Sequence, residues 1–400
     1  MAVFYGSLFV RHPEFRAMFP LAMDGQRRRL FDGLARSVWG AGQHQALTDY
    51  LRDLARDHRK FGVTDKQYQP FCEALLASLQ TSGGSAWTSE TAAAWRAMLE
   101  HVAAQMADAA RAAAGEPAWW LGEVVRHERR GPDLAVLTLR AEAGQPLRHQ
   151  AGQYISVQVS RWPRVWRCYS VASAPRPDGT LDLHVRAVPG GRVSSLLVHQ
   201  TQPGDTLLLG PARGAMTLAA AAGPGSILCV AGGTGLAPLK ALAEELAGAP
   251  GPAPRAVRLL AGARHENDLY DLPALRQLEA ACPWLTVVPV VVPPGGPAAA
   301  REAMPAAAAA HLTPDTSDIF VSGPDGMVRA VTRQLASLAP GTRIHADSLR
   351  PWRPDRRRHG DRDGGAAEPP AAAAGAAAGD APAADAPPGG GCPYAGRVIS

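Results

Sequence analysis

The sequence predicts a multidomain chain: an all-α domain, then an antiparallel β-barrel, then an α/β domain on a parallel sheet, then a disordered tail. Three observations predict it. Apolar residues recur at helical spacing over the first 115 residues, short strands follow between turn signals, and strand–glycine–helix units begin at Ser226. At 400 residues the chain also exceeds one ordinary hydrophobic core.

The helical segment is read as residues 1–115. Its repeats are Leu30–Phe31–Leu34–Val38, Leu47–Leu51–Leu54, Phe71–Leu75–Leu79 and Trp95–Leu99–Val102–Met106. Pro13, Pro20, Gly83–Gly84 and Gly115–Pro117 punctuate them, and β-branched runs are nearly absent.

The character changes at Trp119, and residues 118–220 are read as the barrel. Ala135–Leu139, Tyr154–Val159 and Leu181–Val185 are strand-like, separated by turns at Gly131–Pro132, Pro175–Gly179 and Pro189–Gly191. Residues 222–349 form the third unit. Ile227–Ala231, Val257–Ala261, Leu285–Val290 and Asp318–Val321 are buried strands alternating with helices, the mark of a parallel sheet. Residues 350–400 are Ala, Pro, Gly, Arg and Asp with almost no large apolar side chains, so they are expected to stay disordered.

Composition narrows the function classes. The net charge is +5, but the positive charge is almost all arginine scattered among acids, with lysine only at positions 60, 66 and 240. No basic block with interleaved aromatics precedes the tail, so no nucleic-acid partner is expected. No stretch of 18 apolar residues lacks charge, and no leader pattern opens the chain, so neither a membrane span nor secretion is expected. Five scattered cysteines make no Cys-x-x-Cys pair, which argues against a zinc or iron–sulfur site and fits a reducing cytoplasm.

Three motifs in the second and third units carry chemistry. Arg167-Cys168-Tyr169-Ser170 puts a guanidinium, an aromatic ring and a hydroxyl within four residues. Such a set suits a flavin: the cation for phosphate, the ring for the isoalloxazine, the hydroxyl for its polar edge. Gly190-Gly191-Arg192-Val193-Ser194 offers backbone N–H groups to a further phosphate. Gly232-Gly233-Thr234-Gly235-Leu236-Ala237-Pro238 follows a strand and opens a helix, where a pyrophosphate can approach the backbone. Taken singly, each has a plain reading as a hairpin or a tight loop.

In this order, with Gly152-Gln153-Tyr154 and Ser322-Gly323-Pro324, the motifs resemble the ferredoxin–NADP reductase superfamily over residues 118–349. The resemblance implies a six-stranded FAD barrel followed by a nicotinamide-dinucleotide domain. It implies FAD and dinucleotide contacts at Tyr154, Arg167, Tyr169, Ser170, Gly190, Gly191, Val193, Ser194, Gly232, Gly233, Thr234, Gly235, Pro238, Gly323 and Pro324. Ser322 stands where that family often has a cysteine.

The helical segment carries Phe4-Tyr5, Phe19, Gln26 and Leu30 four apart on one helix face, then His58 and, ten residues on, Tyr68. A lone histidine on an amphipathic helix is usually a surface or core residue. The ensemble, however, resembles the globin domain of flavohaemoglobins, in a divergent actinobacterial-type branch. That resemblance implies haem b with His58 as the proximal iron ligand, Tyr5 as distal hydrogen-bond donor, Gln26 and Leu30 lining the distal pocket, Phe19 against the porphyrin and Tyr68 on the proximal side.

Several positions depart from the family. Met1 falls where its second helix begins, so the first helix is expected to be missing. Ala110 stands near its proximal glutamate, Asp57 in place of the lysine before the proximal histidine, Asp347 in place of that lysine's acidic partner, and Leu349 in place of the aromatic that covers the flavin.

The resemblance implies an NAD(P)H-dependent nitric oxide dioxygenase, passing electrons through FAD to haem, with dioxygen and nitric oxide as substrates. Alternatives are an NAD(P)H oxidase or reductase for another acceptor, and a haem-based oxygen or redox sensor. NADH is slightly favoured, although Arg264 after Ala261-Gly262 could meet a 2′-phosphate. A monomer is the default expectation.

Overall fold

The computed structural model describes residues 2–39, 44–142, 146–221, 223–249, 255–292 and 296–346. Asp347, Leu349, Cys392 and the tail expected to be disordered lie outside the described residues.

Five helices form the first domain: α1 (Ala2–Arg11), α2 (Asp24–Trp39), α3 (His44–His58), α4 (Asp65–Gly83) and α5 (Ser89–Ala112). Their starts follow local chemistry. Gln67 Oε1 accepts the Thr64 N–H at 2.8 Å at the head of α4, and Thr88 Oγ1 accepts the Thr91 N–H at 3.1 Å at the head of α5. The apolar faces then pair, α1 with α4 and α3 with α5. Two separate clusters result. Phe4, Tyr5, Leu8, Phe15, Leu75 and Leu99 make one; Leu51, Ala55 and Met106 make the other.

The second domain is a six-stranded antiparallel sheet of β1 (Trp120–Arg129), β2 (Leu134–Ala141), β3 (Tyr154–Val159), β4 (Arg167–Ser170), β5 (Thr180–Arg186) and β6 (Thr206–Leu209). Its order is β4-β3-β6-β1-β2-β5, and a bridge between Val171 and Leu183 brings β4 against β5, so the barrel nearly closes. Leu137, Leu139, Ile155, Val157, Leu181 and Leu183 fill it, and α6 (Arg192–His199) adds Val193 and Leu197.

The third domain is a parallel sheet in the order β11-β10-β7-β8-β9. Its strands are β7 (Ser226–Gly232), β8 (Val257–Ala263), β9 (Leu285–Val291), β10 (Thr316–Ser322) and β11 (Arg343–His345), with helices α7 (Leu236–Gly248), α8 (Leu272–Ala281), α9 (Gly296–Ala310) and α10 (Asp325–Leu338). Every residue of β7 is buried, as a central parallel strand covered on both faces requires. The chain runs from β7 outward to β9 and then returns to β10 on β7's other side. The crevice between the carboxyl ends of β7 and β10 is therefore the switch point where such sheets bind ligands.

Among the described residues, no helix is long and apolar enough to cross a membrane.

Candidate functional site

The two clusters of the helical domain each hold part of the expected haem site. Tyr5 on α1 packs edge-on against Phe19, ring centroids 5.4 Å apart, with Phe9 and Leu30 in the same cluster. The Tyr5 hydroxyl is buried with no hydrogen-bond partner among the described residues. Burial raises its pKa to about 12, against a smaller lowering from the nearby Gln26 amide. Gln26 is engaged elsewhere: its Oε1 accepts from Arg29 Nη2 at 2.8 Å.

His58 is the last residue of α3, beside the second cluster, which Tyr68, Leu54 and Ala110 also join. Its Nδ1 lies 2.7 Å from the Leu54 carbonyl, and the carbonyl can only accept, so Nδ1 carries the proton. Nε2 then presents a lone pair and has no hydrogen-bond partner among the described residues. Burial lowers the imidazole pKa, which keeps it neutral. Tyr68 has a second buried hydroxyl without a hydrogen-bond partner among the described residues, raised to about 12 by burial.

On the barrel, β4 carries Arg167, Tyr169 and Ser170. Arg167 is exposed and its recorded hydrogen bond is to the adjacent Trp166 carbonyl, at 2.9 Å. Tyr169 packs against the barrel core and Ser170 pairs in register with Tyr154 of β3. The glycine turn behaves differently from a simple phosphate cradle. Gly190 is left-handed, at φ 71°, but Val193 is buried in the barrel core and the Ser194 hydroxyl donates to the Gly191 carbonyl at 3.2 Å. Those two side chains build the turn from inside.

At the parallel sheet's switch point, two loops meet. Gly233, Thr234 and Gly235 form a single 3₁₀ turn between β7 and α7, and Pro238 is buried in that helix's first turn. A side chain at Gly232 would run into Met327 and Pro324, and one at Gly235 into Ser322 and Gly323. The glycines thus serve the close approach of two backbones as well as open N–H groups.

Comparison with known proteins agrees domain by domain. The globin family pattern matches residues 2–106, the oxidoreductase FAD-binding domain 122–217 and the oxidoreductase NAD-binding domain 229–333. A flavohemoprotein of Rhizobium meliloti is 29% identical over 286 residues, covering 66% of this chain and 69% of that protein. The flavohemoglobin of Malassezia yamatoensis, solved with bound FAD and heme, shares the fold, with a TM-score of 0.69 at 19% identity over 86% of this chain and 92% of that one.

The chain has the domain set of a flavohaemoprotein, a globin followed by FAD-binding and NAD-binding oxidoreductase domains.

Its reductase half also resembles reductase components of dioxygenase systems. The reductase component of a naphthalene 1,2-dioxygenase/salicylate 5-hydroxylase system from Ralstonia is 34% identical over 221 residues, 53% of this chain and 64% of that protein. A terephthalate 1,2-dioxygenase reductase component from Comamonas is 39% identical over 140 residues, 35% of this chain and 40% of that protein. The chain therefore spans less than two thirds of these reductases.

Haem, FAD and a nicotinamide dinucleotide are the groups this domain set binds, and the residues fit them. Two separate apolar clusters with an unpartnered phenol on one side and an unpartnered imidazole nitrogen on the other suit a flat, apolar macrocycle carrying a metal. Among the described residues Arg167 has no carboxylate partner, which leaves it open to a phosphate.

The chain also brings together polar residues that motif reading passes over. They lie at the seam between the helical domain and the barrel. Lys60 Nζ bonds Asp57 Oδ1 at 2.6 Å and Ser156 Oγ at 2.8 Å. Arg213 Nη2 lies 3.6 Å from the same Asp57 oxygen and also donates to the Asp53 carbonyl. Burial would raise the Asp57 carboxyl, but Arg213 and Lys60 together hold it below its ordinary value. A cavity of about 210 Å³ adjoins them, with Met18, Lys60 and Phe61 on one wall and Gln158, Arg164 and Trp166 on the other. The only sequence signal was the i,i+3 spacing of Asp57 and Lys60, which ordinarily marks a solvated pair.

Proposed function

We propose that this flavohaemoprotein passes electrons from NAD(P)H through FAD to haem and acts as a nitric oxide dioxygenase, turning nitric oxide and dioxygen into nitrate. The buried, unpartnered Tyr5 hydroxyl carries this reading. A polar group with no partner in an apolar cluster costs about 1–3 kcal/mol, so it marks a place where a ligand completes the bond.

When bound, the flavin turns a two-electron hydride into single electrons, and the haem supplies the iron centre that takes them one at a time. The chain's own residues do the rest. The Leu54 carbonyl holds the Nδ1 proton of His58 and so keeps Nε2 as the ligand atom. Tyr5 would donate a hydrogen bond to dioxygen entering beside it, and Phe19 and Leu30 would keep water out. Arg167 takes a phosphate, Tyr169 provides the ring face, and the crevice by Gly232, Gly235 and Gly323 takes the dinucleotide. The domain boundaries follow the same plan: 1–115 for haem, 118–220 for FAD, 222–349 for the dinucleotide.

A second reading, a reductase or oxidase for another acceptor, is favoured by one observation: His58 bonds a neutral carbonyl rather than a carboxylate, so its donation to iron is weaker.

The test is nitrate production from nitric oxide, dioxygen and NADH by the purified chain loaded with hemin and FAD. A Soret band with flavin shoulders and haem-dependent nitrate are expected, and His58→Ala abolishes both the Soret band and the nitrate. Full nitric oxide consumption by His58→Ala overturns the haem role. NADH oxidation that ignores nitric oxide but reduces ferricyanide or cytochrome c quickly moves the assignment to the second reading.

A further inference from the structure

We propose that Lys60 is a positioning residue for electron transfer between flavin and haem: its ammonium pins the histidine-bearing end of α3 to strand β3 of the barrel. The inference rests on the electron-transfer reading above and concerns the seam that reading requires.

The Lys60 side chain is only 3% exposed, although an ammonium at a domain edge would ordinarily reach for water. It is enclosed by partners from both domains. Asp57, from the last turn of α3, accepts at 2.6 Å, and Ser156, from β3, accepts at 2.8 Å. The charge also lies 4.6 Å from the Trp166 ring centroid, on the loop entering β4. Phe61 completes the contact, edge-on to Trp166 at 6.4 Å and to His58 at 6.4 Å. Arg213, from the barrel, reaches the same helix, donating to the Asp53 carbonyl and lying 3.6 Å from Asp57 Oδ1.

The placement is specific. Asp57 and His58 are adjacent, and Ser156 pairs in register with Cys168, the residue before Tyr169. One side chain therefore links the neighbour of His58 to the β3 residue paired with the neighbour of Tyr169. A buried ion pair is weak evidence for stability and better evidence for a fixed register. Fixed register is what a transfer step needs, since its rate depends on how far apart and how well oriented the two groups are held. Ser156 packs so closely on Gly210 of the β6 end that a side chain there would strike its Oγ, so the hydroxyl is itself held in place.

The experiment uses the full chain loaded with hemin and FAD, as Lys60→Met and as Lys60→Arg. Anaerobic stopped-flow separates flavin reduction by NADH from haem reduction by flavin. With Lys60→Met, flavin reduction is expected to stay unchanged and haem reduction to slow at least tenfold, with Lys60→Arg recovering part of it. Hydrogen exchange read by mass spectrometry should speed up at residues 57–62 and 161–166 and nowhere else. Haem reduction at the unsubstituted rate overturns the proposal, as does equal slowing of both steps or unaltered exchange at the seam. If Lys60→Met does not fold, Ser156→Ala, which removes only the barrel-side acceptor, should slow haem reduction about threefold, and no slowing overturns it. Haem that stays oxidised in the unsubstituted chain strikes the function reading instead. The exchange measurement needs no haem reduction and still decides the pin.

Discussion

His184 Nδ1 and the Tyr270 hydroxyl lie 2.7 Å apart, joining β5 of the barrel to the approach to α8 in the parallel-sheet domain. Both side chains are buried, and burial lowers the histidine to about 3. The folded chain therefore keeps His184 neutral where the unfolded chain, at about 6.5, takes up a proton. Between about pH 6.5 and 3 the unfolded state binds more protons, so stability falls as pH falls through that window. Asp271, 3.9 Å from His184 and raised by burial, works in the opposite sense. The difference between the unsubstituted chain and His184→Gln isolates the histidine: its denaturant midpoint should depend less on pH between 6.5 and 4.

Tyr5→Phe should have opposite effects on the empty and loaded protein. Without haem, removing a buried hydroxyl that bonds nothing should stabilise the helical domain by about 1 kcal/mol in urea unfolding. With haem, the lost donor should speed dioxygen release about tenfold in flash photolysis.

Two glycine substitutions should separate fold from site. Gly152 has φ 88° and sits against the Met216 carbonyl, so Gly152→Ala should cost at least about 2 kcal/mol and lower the melting temperature of the whole chain. Gly235→Ala pushes the β7–α7 turn off Ser322 and Gly323. It should weaken dinucleotide binding at least tenfold while bound FAD, read by its absorbance, is retained.

Arg264 is exposed just beyond β8. If it meets a 2′-phosphate, Arg264→Ala raises KM for NADPH and leaves KM for NADH unchanged. Equal KM changes for both would place it outside the site.

The long periodic elements were legible because each obeys one local rule. The helical repeats from Leu30 to Met106 show this, and so do the buried strands Ile227–Ala231 and Val257–Ala261. Strand β11 was not, since three residues carry no pattern and its place depends on Arg343 and His345 reaching the fully buried Asp318 of β10 at 2.9 and 3.0 Å. The motif residues stood out by type and spacing. The Lys60, Ser156 and Arg213 set did not, because its members are 96 and 57 residues apart and ordinary singly. Val193 and Ser194 show the converse: a motif can name the right turn while its side chains face inward.

The barrel touches its two neighbours through different strands, β3 toward the helices at Lys60 and β5 toward the parallel sheet at Tyr270. Supply and delivery thus reach one middleman through separate strands.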